Sequence, residues 1–217
     1  MTSSGQGWTL IARFSNSDNK NWMLNTGNWW YDKNTADGRT TDPSYNIDMI
    51  SPAFWQVSGN EFKITRSDDA QHTALLHTTG DCLGGQSFRS KIISYGNFRN
   101  SVVWADNKCL GSCTVQYGGQ YQTTEGFKQA SCNGAIQTAN AIGFWCNWSK
   151  GDGSVMMIGG GGGSCNRADH GIGITEANSP SFNDNGDGES DFGDDAETQA
   201  IGSKTPTKSY SLNLWVR

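Results

Sequence analysis

Over residues 210–216 apolar and polar positions alternate, with Tyr210, Leu212, Leu214 and Val216 on one side and Ser211 and Asn213 on the other. A period of two predicts a half-buried strand. Residues 8–14, 61–66 and 101–104 also read as strands, from their β-branched and aromatic content. Helical periodicity is scarce, and only 46–55 and 135–142 suggest short helices. From 143 to 206 the pattern predicts almost no regular structure, a loop long enough to be functional if it is ordered. There is no internal repeat and no composition break, so a single domain over 1–217 is expected.

Composition sharpens this picture. Glycine supplies 28 of 217 residues, and charged residues make up only 17%, as in a loop-rich chain of short elements. Nine Trp, nine Phe and six Tyr nevertheless provide enough bulk for an aromatic core, which argues against a disordered chain. No apolar run reaches the roughly 18–20 residues of a membrane span.

Charge is concentrated in one place. Seven of the 21 acids (Asp184, Asp187, Glu189, Asp191, Asp194, Asp195 and Glu197) lie between Asn183 and Glu197 with no Lys or Arg. The remainder is close to neutral, so a basic stripe for nucleic acid is absent. The acidic stretch offers what a hard cation needs. Its Asn183-Asp-Asn185-Gly-Asp187-Gly188 run approaches an EF-hand loop, but it starts with Asn, ends with Asp194 in place of Glu, and has no flanking amphipathic helices. Calcium in a non-helical loop and a solvated acidic turn both remain open.

Six cysteines, Cys82, Cys109, Cys113, Cys132, Cys146 and Cys165, form an even set without a Cys-x-x-Cys pair. Disulfides are therefore expected over a zinc knuckle. Fifteen pairings are possible for six cysteines. The position of Cys146 and Cys165 around the run Gly159 to Gly163 favours a bond between those two. Asn147-Trp148-Ser149 is a glycosylation acceptor at Asn147. These features point to a secreted, extracellular glycoprotein.

Asp169-His170-Gly-Ile-Gly-Ile-Thr-Glu176 places two carboxylates and an imidazole on glycine-rich backbone. Oxygen-rich loops of this kind wrap Ca²⁺, which takes six to eight oxygen ligands in flexible geometry. An ordinary surface loop is the alternative. The glycine run lacks a following Lys-Ser/Thr, so it is not a P-loop. Three histidines, His72, His77 and His170, and no Gly-x-Ser-x-Gly elbow give little support to hydrolysis, and no enzymatic activity is expected. Trp145 and Trp148 fall in the same region, where an indole face would suit a sugar ring, although most Trp in such a chain are core.

Several segments resemble the fibrinogen-like domains and, more closely, the intelectins (X-type lectins). Met1-Thr-Ser-Ser-Gly-Gln-Gly-Trp8-Thr is similar to the family's Met-Thr…Gly-Gly-Gly-Trp-Thr opening. Gly126-Phe127-Lys-Gln and Thr138-Ala-Asn140-Ala-Ile resemble its Gly-Phe-x-Gln and Ala-Ala-Asn-Ala-Leu. Ile158-Gly-Gly-Gly-Gly162 looks like its glycine turn, Glu176-Ala-Asn-Ser-Pro180 like its Glu-Ala-Ser-Pro, and Asp191-Phe192 like its Asp-Phe. The final strand closing on Arg217 is similar as well.

The resemblance implies an α+β fibrinogen C-terminal-like domain of short twisted sheets, few short helices and long disulfide-linked calcium-binding loops. It also implies that the family's usual first cysteine lies upstream of Met1. The function it implies is that of a calcium-dependent lectin for cell-surface or microbial glycans, commonly a homo-oligomer. Glu176 would hold the Ca²⁺ that bridges to vicinal hydroxyls, His170 would help hold the diol, and Asp191 would bind a structural calcium. Asp169 joins this set on its own chemistry. The family frames the sugar with a Trp and a Tyr after Asp-Phe, whereas no aromatic residue occurs here between Phe192 and Tyr210. An adhesive or matrix domain that uses calcium only for stability is the competing expectation.

Overall fold

The computed structural model describes residues 7–15, 33–96, 108–118, 140–148, 152–158 and 209–217. They build an antiparallel sheet of eight strands and a small two-stranded pair. Strands β1 (Thr9–Ser15), β4 (Phe62–Arg66) and β10 (Ser211–Val216) lie where the sequence predicts them. With β2 (Met49–Ile50), β5 (Ala74–Thr78), β7 (Gly111–Tyr117), β8 (Ala141–Trp148) and β9 (Asp152–Ile158) they follow the order β2-β1-β10-β4-β5-β7-β8-β9. The last strand thus sits inside the sheet, between β1 and β4.

Register explains the core. Phe14 lies opposite Leu212, Ala12 and Ile64 flank Leu214, and Phe62 lies opposite Val216. Side chains opposite one another share a face, so these residues form one apolar surface. Two short helices, α1 (Ala53–Gln56) and α2 (Phe88–Ile93), contribute Phe54, Phe88 and Ile92 to the same core. Phe88 meets Phe62 edge-on at 5.3 Å between centroids and Phe54 at 5.7 Å. Ser87 caps α2, its hydroxyl accepting from the Ser90 N–H at 3.2 Å. Among the described residues no helix is long and apolar enough to cross a membrane.

Three expectations need correction. The segment 46–55 is not one helix. Ile50 exchanges backbone hydrogen bonds with Asp37 and, with Met49, pairs to β1, leaving a single turn after Pro52. The stretch from 143 onward opens with regular structure, since β8 and β9 pair antiparallel in register from Ile142–Ile158 to Trp148–Asp152; 149–151 and 159–206 lie outside the described residues. Residues 141 and 142 open β8, so the helix expected over 135–142 does not reach its end; 135–139 and the strand expected at 101–104 lie outside the described residues.

The described cysteines form two disulfides, Cys82–Cys113 and Cys109–Cys146. The second overturns the expected Cys146–Cys165 bond; Cys132 and Cys165 lie outside the described residues. Its origin is register. Gly111 is opposite Phe144, so two residues outward Cys109 falls opposite Cys146. A Cβ on Gly143 would overlap the sulfur atoms of both cysteines. Glycine is therefore required in the middle of this strand.

Candidate functional site

Asp169, His170, Glu176 and Asp191, the residues expected to hold calcium and sugar, lie outside the described residues. Among the described residues no group of three or more His, Cys, Asp or Glu could hold a metal ion. Asn147 and Trp148 have backbone positions on β8, opposite Gly153 and Asp152, but their side chains are not described.

Trp145 is not a sugar platform. It is 0% exposed, and its indole N–H donates to the Ile92 carbonyl at 2.9 Å. Its φ of 51° is left-handed, an uncommon backbone for a bulky residue. That conformation breaks the alternation of β8, so Phe144 and Trp145, adjacent in sequence, are both fully buried in the core with α2. The ring is core material with a satisfied polar handle.

A groove of about 740 Å³ opens at one end of the sheet, within the size range of small-ligand sites. Three stretches remote in sequence form it: the start of β1, the turn through β3 (Ser58–Gly59) into β4, and the loop between β5 and β6 (Gln86–Ser87). The end of β10 completes the wall. Main-chain bonds tie these parts together, with the Asn60 N–H donating to the Arg217 carbonyl at 2.8 Å and the Leu83 N–H to the Asn60 carbonyl at 2.9 Å. Gly59 is needed here, since a Cβ would overlap the Arg217 backbone and the Val216 side chain.

Polar side chains dominate the groove's chemistry. The Arg217 guanidinium donates through Nε to Glu61 Oε2 at 2.7 Å and pairs through its terminal nitrogen with the same oxygen at 2.6 Å. Outside the lining, Trp8 lies 4.6 Å from that guanidinium and 4.9 Å from the Lys63 ammonium, both within cation–π range. Burial lowers the Lys63 pKa, and the neighbouring Arg217 charge lowers it further. The Cys82–Cys113 disulfide anchors the loop that carries Gly80 and Asp81 to β7.

A second polar assembly lies elsewhere on the sheet. Arg13, 0% exposed, donates to the carbonyls of Ile47, Asp42 and Arg39 at 2.6, 2.6 and 2.9 Å. Asn213, beside Arg13 in register, donates to the Pro43 carbonyl at 2.8 Å, and Ser211 donates to that of Tyr45 at 2.8 Å. The buried Asp48 accepts from the Ser15 N–H at 2.7 Å. Burial lowers the Arg13 pKa, with Asp42 and Asp48 opposing it. These bonds fasten the segment 39–48 against β1 and β10 and present Tyr45 and Ile47 to solvent. An arginine inside an otherwise apolar strand was the sequence signal for this anchor; nothing local signalled the groove.

Set against known proteins, the chain matches no family model and no curated protein.

Proposed function

We propose that this chain is a calcium-dependent extracellular glycan-binding protein, a lectin of the intelectin-like type on a fibrinogen-like scaffold. The observation that carries this reading is the order of short motifs along the chain. Trp8 comes first, then the glycine run after Ile158, then Glu176-Ala-Asn-Ser-Pro180, then Asp191-Phe192 within the acidic stretch. The disulfides fit it, since such bonds persist in oxidising compartments, and so does an antiparallel sheet with few short helices.

The donor chemistry suits a hard cation. Glu176, Asp169 and Asp191 offer carboxylate oxygens, the ligand type that Ca²⁺ prefers. His170, a nitrogen donor, suits the sugar hydroxyl beside the ion better than the ion itself. Bound Ca²⁺ supplies coordination positions that two adjacent sugar hydroxyls fill. Glu176 and Asp169 hold the charge that fixes the ion, and they release it on acidification as they take up protons. Binding of this kind is weak per site, and homo-oligomers would gain avidity from repeated sites.

The absence of an aromatic residue between Phe192 and Tyr210 favours a second reading. In it calcium only staples an adhesive or matrix domain. A glycan array probed in Ca²⁺ and again in EDTA, with thermal unfolding in both buffers, separates the two. The lectin reading predicts glycan signals that vanish in EDTA. Melting that falls in EDTA with no glycan signal in either buffer selects the staple.

A further inference from the structure

We infer that the groove between β1, β3 and the β5–β6 loop is a separate, calcium-independent site for a neutral saccharide. Its lining is rich in both hydrogen-bond acceptors and donors. Glu61 and Asp81 accept, Arg217 donates, and Asn60, Ser58 and Thr9 do both. A ligand that satisfies such a surface must donate and accept from nearly every polar atom, which is what sugar hydroxyls do. A phosphate or sulfate only accepts.

Charge points the same way. Arg217 is already paired with Glu61, and Asp81 has no ion pair among the described residues. The charged residues that line the groove, Glu61, Asp81 and Arg217, are therefore net negative and disfavour an anion. The 740 Å³ volume accommodates one or two pyranose rings.

The site is also held in advance of binding. Arg217 is fixed from two sides, by Glu61 and by the Trp8 ring. The Asp81 wall is tied to β7 through Cys82 and to the opposite wall through the Leu83 N–H bond to Asn60. A preorganised polar surface loses less on ordering when ligand arrives. None of this involves Glu176 or bound calcium, so the inference does not rest on the lectin reading above.

The test uses the full chain in EDTA. Methyl glycosides of glucose, galactose, mannose, fucose and N-acetylglucosamine are titrated by saturation-transfer NMR, with glucose 6-phosphate as the anionic comparison. At least one neutral glycoside is expected to bind. Asp81→Asn should weaken it about tenfold by removing a charge-assisted hydrogen bond. Ser58→Trp, at an exposed position, should abolish it while leaving the melting temperature unchanged. Silence from every glycoside, a signal that survives Ser58→Trp, or tighter binding of glucose 6-phosphate would overturn the inference. Calcium-dependent glycan binding would instead survive Ser58→Trp and disappear in Glu176→Gln, so the two sites fail independently.

Discussion

Cys109 and Cys146 face each other across neighbouring strands, at the position to which the β7–β8 register carries them. The bond staples the two strands beside Gly143, whose missing side chain leaves room for the sulfur atoms. The companion bond, Cys82–Cys113, joins β7 itself, just after its start at Gly111, to the loop that walls the groove. One strand is thus fastened on both sides, to the outer hairpin and to the groove.

A peptide map without reductant should recover the linked pairs Cys82–Cys113 and Cys109–Cys146. The same map tests whether Cys132 and Cys165, the two that remain of six, are joined to each other. The double substitution of Cys82 and Cys113 by serine opens a link spanning 31 residues. It should cost about 3–4 kcal/mol in denaturant unfolding. Unchanged stability in that variant would argue against the link.

Arg13 satisfies three main-chain carbonyls from a fully buried position. Arg13→Ala leaves them without a partner and should lower stability by about 3–5 kcal/mol. Arg13→Lys should recover only part of this, because an ammonium lacks the planar fork that reaches three acceptors. Limited proteolysis offers a second readout, with earlier cleavage between residues 39 and 48 in both variants.

Trp145 supports the core and does not face solvent. Trp145→Phe keeps a ring but leaves the Ile92 carbonyl unpaired, and should cost about 1–3 kcal/mol. Trp145→Ala should cost about 3–5 kcal/mol. Below their melting temperatures both variants should bind any glycan ligand as tightly as the parent chain. A selective loss of binding in Trp145→Phe, with stability unchanged, would contradict the core assignment.

Acid should destabilise the protein through two aspartates. The Asp42 carboxyl is held below its ordinary value by the Ser44 hydroxyl and then the Ser44 N–H, at 2.5 and 2.9 Å. For Asp69, burial pushes upward, but hydrogen bonds from the Gln71 and Thr73 N–H groups and the Thr73 hydroxyl bring it below. In both, the unfolded chain takes up the proton at higher pH than the folded one. The stabilisation is therefore present above about pH 4 and lost as pH falls through the folded values. Melting curves should hold steady from neutral pH to about pH 5 and drop below about pH 4, with a shallower drop in Asp69→Asn.

The legible strands were β10, read from its alternation, and β1 and β4, read from their β-branched and aromatic content. The final strand is not half-buried as its period of two implied: Ser211 and Asn213 on its polar side are as buried as Leu212 and Leu214, because segment 39–48 covers that face. β8 was hidden by Gly143, which serves the disulfide, and by the left-handed turn of backbone at Trp145. Segment 46–55 was misread because Ile47, Ile50 and Phe54 have helical spacing, while the main chain at Ile50 bonds instead to Asp37. The disulfides were foreseen as a class but not as pairs, since pairing follows register. The groove was invisible for a related reason: Thr9, Asn60, Asp81 and Arg217 meet only through the sheet order. The candidate calcium residues Asp169, His170, Glu176 and Asp191 were read from sequence and rest on it still.

The central claim is calcium-dependent glycan recognition through Glu176. The measurement that tests it most directly is calorimetric titration of the strongest array glycan into the parent chain and into Glu176→Gln, both in Ca²⁺. The account predicts binding by the parent and a loss of at least about tenfold in the variant, with equal melting temperatures in EDTA. Equal affinity in the two proteins, or parent binding that persists undiminished in EDTA, would contradict it.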